Sequence, residues 1–300
     1  MYDILIVGAG PAGLTAALYA CRAGKSVLVI EKATFGGQIT YSPKVENIPG
    51  FVSLTGNEFA ERLVDQCLAQ GAEFESAEVT GIDGDEIKTV HTDGGDFTAR
   101  AVILATGARH RTLGLPGEEN FIGEGISFCA VCDGAFYQGK TVGVIGGGNS
   151  ALQEALLLSD TSRKVVILQN LDHLTGERRL QELVTKKENI EVITGVTVAE
   201  YLGENLLYGV RIRDDAGAER DVALDGIFLA VGLVPQNEPF ASQLTLTPTG
   251  YAEADENMAT RTPGVFVAGD CRVKKIRQVT TAAADGAIAA LSACDYLDRV

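Results

Sequence analysis

Two strand, glycine-rich turn, helix units in one chain of 300 residues predict an α/β protein in two parts. The first turn reads Gly8-Ala9-Gly10-Pro11-Ala12-Gly13 and the second Gly146-Gly147-Gly148-Asn149-Ser150-Ala151. Between them lies a close pair of cysteines, Cys129-Ala130-Val131-Cys132, followed by Asp133. The composition agrees: a hydrophobic fraction of 46% and 35 glycines suit a water-soluble α/β protein with many tight strand-to-helix turns. The expected class is therefore α/β, with two Rossmann-like three-layer dinucleotide-binding domains, the second inserted into the first.

The elements follow in order. Ile4 to Val7 is a continuous apolar run, as a parallel strand buried on both faces requires. Leu14 to Arg22 has helical composition, Gly24 ends that helix, and Ser26 to Ile30 is the next strand. Glu31 closes this strand about 20 residues past the glycines, where an acid accepts hydrogen bonds from a ribose. The glycines let the backbone approach a pyrophosphate, and the helix N-terminus supplies amide donors and the positive end of its dipole. A lone Gly-x-Gly-x-x-Gly is a weak signal; strand, helix, second strand and terminal acid together make a strong one.

Ala101 to Ala105 is a further strand, leading into Thr106-Gly107, and the stretch Arg109 to Gly117 reads as the first connection between domains. The second unit repeats the first: strand Thr141–Ile145, glycine-rich turn, helix Ser150–Leu158, strand Lys164–Leu168. Alternating segments at Val196–Leu202, Leu207–Arg213 and Arg220–Leu224 read as an antiparallel meander. Ile227 to Val231 is another buried strand. The chain then returns through a strand at Val265–Ala268, a Gly269-Asp270 turn and a long final helix from Thr280 to Leu297.

A net charge of −15 argues against nucleic acid and anionic membrane surfaces as partners, since both would repel an acidic face. No apolar run approaches the ~20 residues that span a bilayer. The first residues enter a strand without a basic segment ahead of an apolar one, so a cytoplasmic location is expected. Of six cysteines only Cys129 and Cys132 form a local pair; Cys21, Cys67, Cys271 and Cys294 read as buried small apolar residues.

Cys129 and Cys132 have the spacing of a reversible disulfide with one thiolate of lowered pKa. Zinc would need more ligands, and neither a second Cys-x-x-Cys nor a nearby histidine supplies them; redox outweighs metal by roughly nine to one. His91, His110 and His173 have no metal-ligand spacing among themselves. Asp133 is placed to act as a general acid/base for the dithiol. The plainer alternative, a turn cap before Gly134, carries about one chance in four.

At this point the motifs resemble a known family. GAGPAG at Gly8–Gly13, GGQ at Gly36–Gln38, ENIPG at Glu46–Gly50, ATGA at Ala105–Ala108, CAVCDGAFY at Cys129–Tyr137, GGGNSA at Gly146–Ala151, GVFVAGD at Gly264–Asp270 and RQVTTAAADG at Arg277–Gly286 are similar, in order and spacing, to the low-molecular-weight thioredoxin reductases. These are FAD-dependent pyridine nucleotide–disulfide oxidoreductases, and the resemblance covers essentially the whole chain. It implies an FAD-binding domain at 1–113 and 244–300 and an NAD(P)H-binding-like domain at 114–243 that carries the dithiol. It also implies a homodimer and a large rotation between domains during turnover. The residues it assigns to FAD are Gly8, Gly10, Gly13, Glu31, Gly37, Gln38, Asn47, Thr106, Asp270 and Gln278, with Asp270 on the ribityl chain. The start of the last helix would point at the pyrimidine end of the flavin, where a helix dipole favours the negative charge of the reduced form. Gly146, Gly148 and Asn149 would receive the second nucleotide. Cys132 would face the flavin, Cys129 would attack the external disulfide, and Asp133 would protonate the leaving thiolate.

The chain departs from that pattern in one place. Members that use NADPH carry a His-Arg-Arg cluster after the second strand of the inserted domain and a further Arg soon after, which pair with the 2′-phosphate. Here Leu168 runs into Gln169-Asn170-Leu171-Asp172, and Thr175 stands at the later Arg position. Arg178 and Arg179 come about two turns late and read as solvated helix charges, at roughly three to one. NADPH is disfavoured, and NADH is the nucleotide these residues allow, with Gln169 and Asp172 as candidate ribose partners. The stretch also resembles the NADH-using flavoprotein of alkyl hydroperoxide reductase.

The expectation is an FAD-dependent disulfide reductase acting on a thioredoxin-like protein. The alternatives are a ferredoxin- or flavodoxin-linked thioredoxin reductase with a vestigial nicotinamide site, a small-molecule dithiol oxidase using oxygen, and a redox-sensing flavoprotein without turnover.

Overall fold

A computed structural model describes residues 1–42, 45–204 and 206–299. The chain packs as two compact units, Met1–Arg109 with Val234–Val300, and His110–Leu233 between them. The first break falls after Arg109 rather than after residue 113, and the second after Leu233 rather than after 243. Phe240 accounts for the second difference: it is buried in the core of the first unit, with Leu5, Leu28 and Val90.

In the first unit a mainly parallel sheet runs in the order Glu73–Ser76, Val27–Glu31, Tyr2–Val7, Gly95–Leu104. The long strand Gly95–Leu104 meets Tyr2–Val7 along one side, with Val7 opposite Leu104. Its other side is shared. The first half pairs antiparallel with Lys88–Thr92, and the last residues pair in parallel with Val265–Val267 from the distant end of the chain. Successive side chains point to opposite faces, which sorts the apolar run into two cores. Ile4 and Ile6 go to the face covered by the helices Pro11–Arg22 and Val279–Leu297, while Leu5 and Val7 go to the other. Each such buried aliphatic side chain contributes about 1.5–3 kcal/mol.

The inserted unit repeats the plan with a parallel sheet ordered Ile190–Ile193, Lys164–Leu168, Thr141–Ile145, Gly226–Leu229, Ile126–Ser127. Helix Asn149–Ser159 covers one face through Leu152, Ala155 and Leu158. The antiparallel meander Val196–Gly203, Leu207–Asp214, Glu219–Ala223 covers the other through Val210 and Ile212. This is the three-layer arrangement expected.

Two of the expected strands, Thr141–Ile145 and Lys164–Leu168, have the expected bounds. The first helix starts at Pro11 rather than at Leu14, because Gly10 is its N-cap and Pro at the first helical position already has helical φ. Helix Gly56–Ala69, opened by a capping box between Thr55 and Glu58, and the hairpin Lys88–Thr92 with Gly95–Leu104 were not foreseen. Among the described residues no helix is long and apolar enough to cross a membrane.

The helices Pro11–Arg22 and Val279–Leu297 cross at Gly286. A Cβ there would lie 2.1 Å from the carbonyl oxygen of Ala12 and 3.1 Å from the Ala16 nitrogen. Both are backbone atoms, so relief requires the helices to separate. Gly286→Ala is expected to lower the unfolding free energy by at least about 2 kcal/mol, read by urea denaturation with circular dichroism.

Candidate active site

The first glycine-rich turn is built by exclusion. Gly8 has φ +105°, and a Cβ on it would sit 2.4 Å from the Ala105 carbonyl oxygen. A Cβ on Gly13 would meet the Gly8 carbonyl oxygen at 1.9 Å. These two glycines bring the helix start onto the strand ends. Gly10, the N-cap, is the reverse case: a Cβ there meets nothing within 4 Å. The helix start therefore has open space beside its N-cap, of the kind a pyrophosphate occupies. Gly37, at φ +66°, lines the same space, since its Cβ would lie 3.0 Å from the Gly10 Cα.

The remaining residues expected at this nucleotide surround the same turn. Glu31 accepts from the Ala9 N–H and the Ala33 N–H, each at 2.9 Å, one on each carboxylate oxygen. Each oxygen keeps a lone pair for a ribose hydroxyl. Gln38 donates to the Ala108 carbonyl, and Asn47 donates to the Gln278 side chain at 3.2 Å. Gln278 caps the helix Val279–Leu297. Thr106 donates to Asn237, a fully buried amide that ties down Gly250 and Cys271.

Asp270 is the most informative of the set. Its Oδ1 is buried with no hydrogen-bond partner among the described residues. Burial pushes its carboxyl up; Lys274 and Arg277 oppose this and Asp285 adds to it, leaving it above the ordinary carboxylate value. A buried acceptor left open costs about 1–3 kcal/mol, and a polyol chain would satisfy it. The donor set and the orphaned acceptor fit a dinucleotide with a hydroxylated linker.

Asp285 was missed by sequence reasoning. It receives Arg272 at 2.8 and 2.9 Å, Lys274 at 2.8 Å and the Gly269 N–H at 3.1 Å, and so fixes the turn that carries Asp270. Its signal was available: an acid in the middle of an alanine-rich buried helix demands a cationic partner.

The second glycine-rich turn copies the first. Gly146 has φ +129°, and its Cβ would meet the Ala230 carbonyl oxygen at 2.6 Å. The N-cap Gly148 has φ −84° and ψ −179°, against −76° and −178° at Gly10. Beyond the turn the two differ. The side chain of Gln169 lies over Gly147, where a Cβ would be 2.5 Å from Gln169 Cδ. Gln169 is buried and donates to the His173 carbonyl at 3.2 Å. Asn149 is bonded on both sides to Glu177, accepting from its N–H and donating to its carboxylate. Asn170, Leu171 and Asp172 are exposed, and Asp172 pairs with His173. Arg178 is exposed and pairs with Glu182 at 3.0 Å. No lysine or arginine follows the strand Lys164–Leu168 until Arg178.

Cys129 and Cys132 form a disulfide, with Cα atoms 5.3 Å apart. Cys129 is the N-cap of the short helix Ala130–Asp133, and its sulfur accepts from the Cys132 N–H at 3.2 Å. Asp133 does not cap the turn that follows. Its Oδ2 instead accepts from the Ser127 hydroxyl at 2.6 Å, while Oδ1 is buried without a partner among the described residues. Burial raises the Asp133 carboxyl and the Ser127 hydrogen bond opposes the rise. An acid held above its ordinary value beside a disulfide can carry a proton to a departing thiolate. Ser127 was not singled out from the sequence, because only the fold brings it to Asp133. Of the other cysteines, Cys67, Cys271 and Cys294 are buried and Cys21 is half-buried.

Residues 2–286 match the family described as pyridine nucleotide-disulphide oxidoreductase. The chain is 41% identical to the thioredoxin reductase of Listeria innocua serovar 6a, covering 100% of this chain and 95% of that one. It is 40% identical to the thioredoxin reductase of Bacillus subtilis strain 168, covering 100% and 96%. The crystal structure of thioredoxin reductase from Streptococcus pyogenes MGAS5005 superposes with a TM-score of 0.95 at 37% identity, covering 100% and 99%.

The ion cluster below Asp270 sets a pH dependence. Burial pushes Asp285 up, but the Arg272 and Lys274 hydrogen bonds and charges outweigh it and leave the carboxyl below its ordinary value. A lowered folded-state pKa stabilises above the unfolded value of about 3.9 and is lost as pH falls through the folded one. Asp285→Asn is expected to cost about 3 kcal/mol at neutral pH, since it leaves two cations unpaired. Urea denaturation of both proteins should show that gap narrowing below about pH 4.

Proposed function

The chain belongs to the pyridine nucleotide-disulphide oxidoreductase family, as a low-molecular-weight thioredoxin reductase with a redox disulfide at Cys129–Cys132, and from that premise we propose that electrons pass from NADH, in preference to NADPH, through FAD and this dithiol to a thioredoxin-like protein. The observation that carries the reading is the disulfide with the partly buried Asp133 beside it, one carboxylate oxygen held by Ser127 and the other open.

FAD, when bound, would supply the two-electron relay between donor and dithiol. Gly8, Gly10 and Gly13 would shape its phosphate space, Gly37 would line it, and Glu31 would receive a ribose. Gln38, Asn47, Thr106 and Gln278 would help hold the rest, and Asp270 Oδ1, buried without a partner among the described residues, would take a hydroxyl of the linker. In the inserted unit Gly146, Gly148 and Asn149 receive the nicotinamide nucleotide. Cys132 would receive the electrons that open the disulfide, and Cys129 would attack the partner's disulfide, forming a mixed disulfide that Cys132 resolves. Asp133 donates a proton to the thiolate released and recovers one from the next thiol. The protein works as a homodimer in the cytoplasm, where thiols are kept reduced.

The donor preference rests on charge. A 2′-phosphate brings about two negative charges, and none of Gln169, Asn170, Leu171, Asp172 or Thr175 can neutralise them. A second reading, electron supply by ferredoxin or flavodoxin, is favoured by one observation: the Gln169 side chain lies against Gly147 in the turn itself.

The purified protein should be yellow, with one FAD per chain. Cys132→Ser should keep the FAD and its reduction by the donor while losing reduction of oxidised thioredoxin; near-wild-type turnover would place the electron path elsewhere.

Anaerobic titration of the flavin, followed by absorbance, separates the donors. Charge-assisted hydrogen bonds contribute ~1.5–3 kcal/mol each, so missing two disfavours NADPH by roughly a hundredfold or more in kcat/KM. Asn170→Arg with Leu171→Arg, at two exposed positions, should recover NADPH use. A native preference for NADPH overturns the assignment. Reduction by ferredoxin alone selects the second reading.

A further inference from the structure

Ser127 lies on the edge strand Ile126–Ser127, opposite Phe228, two residues before the dithiol. It is buried, and its hydroxyl makes two hydrogen bonds of opposite sense. The Cys129 N–H donates to Oγ at 3.1 Å, and Oγ donates to Asp133 Oδ2 at 2.6 Å. An amide N–H can only donate, so Ser127 must accept there. The one hydroxyl proton is then free for Asp133. Amide, hydroxyl and carboxylate form a directed chain whose links polarise one another.

This orientation distinguishes the two carboxylate oxygens. Oδ2 already receives a proton donor, while Oδ1 is buried with no partner among the described residues. A proton taken up by Asp133 has its free acceptor at Oδ1. We propose that Ser127 is a positioning residue of the dithiol site, which ties Asp133 to the Cys129 backbone and leaves Oδ1 as the oxygen that carries the exchangeable proton. The inference rests on the reading of Asp133 as the acid/base of the dithiol.

The surrounding ionisable groups are few. Cys129 and Cys132 share the turn with Asp133. Tyr137, on the next turn, is pushed up to about 12 by burial and by the charges of Asp133 and Glu124. Helix Asn149–Ser159 packs on the Ala130–Asp133 turn and carries Glu154, which burial pushes up to about 8. On Asp133 itself, burial acts upward and Ser127 alone acts downward.

The test uses full-length enzyme reduced anaerobically with dithionite and mixed with oxidised Bacillus subtilis thioredoxin, so that no natural electron donor is needed. The single-turnover rate is followed across pH through the flavin absorbance. The limb that disappears in Asp133→Asn belongs to Asp133. In Ser127→Ala that limb should move up by about one pH unit, the shift that loss of a single moderate hydrogen bond produces. Ser127→Thr keeps the hydroxyl and should restore the midpoint. NMR titration of labelled aspartate carboxyl carbons, with the Asp133 signal assigned by Asp133→Asn, reads the same shift without turnover. An Asp133 midpoint unmoved in Ser127→Ala, with FAD content and melting temperature retained, overturns the proposal. A moved NMR midpoint combined with a pH profile that Asp133→Asn leaves intact supports the positioning role and overturns the acid/base reading instead.

Discussion

Everything at the two nucleotide turns depends on the absence of a side chain where backbone meets backbone. In the first unit a Cβ at Gly8 would run into the Ala105 carbonyl, and one at Gly13 into the Gly8 carbonyl. In the second unit Gly146 stands in the same relation to Ala230. The close approach sets each helix N-terminus over the end of its strand, and the N-cap glycines keep nearly identical backbone angles in both. The two turns are one solution to a steric problem, reached twice. What distinguishes them is the chain beyond the second strand. In the first unit it ends on Glu31, a carboxylate held by two amides; in the second it ends on Gln169, folded back over the turn.

Three aspartates show how burial is turned to different uses. Asp285 is fully compensated by Arg272, Lys274 and an amide, and serves as a structural pin. Asp270 and Asp133 each keep one buried oxygen without a partner among the described residues. A polar atom left open inside a protein is a liability unless something visits it. At Asp270 the visitor fits as a hydroxylated chain, and at Asp133 as a proton. The same side chain is thus fully paired at Asp285 and left half open at Asp270 and Asp133, according to the number of donors the fold brings to it.

Much of this was legible in the sequence, and the part that was not has a common cause. The glycine turns, Glu31, the dithiol and the apolar runs at Thr141–Ile145 and Lys164–Leu168 are local patterns, with spacing that carries the geometry. The long strand Gly95–Leu104 was read only in its apolar second half, because its first half takes an antiparallel partner and alternates. Ser127 and the Arg272–Asp285 pair acquire meaning only through contacts that the fold creates. The domain boundary after Leu233 was read late because Phe240 looks like a loop residue until the core that receives it is known.

The interrupted course of the first unit has a consequence for synthesis. Its sheet includes Val265–Val267, and its helix-covered face needs Val279–Leu297, so a nascent chain cannot complete that core until Leu297 has left the ribosome. The inserted unit, 110–233, has all of its own strands well before then. Domains generally fold as units in the order they emerge. Here the order is inverted: the part begun second can finish first, while the apolar strand Tyr2–Val7 waits, its helix-covered face still open, for the far end of the chain.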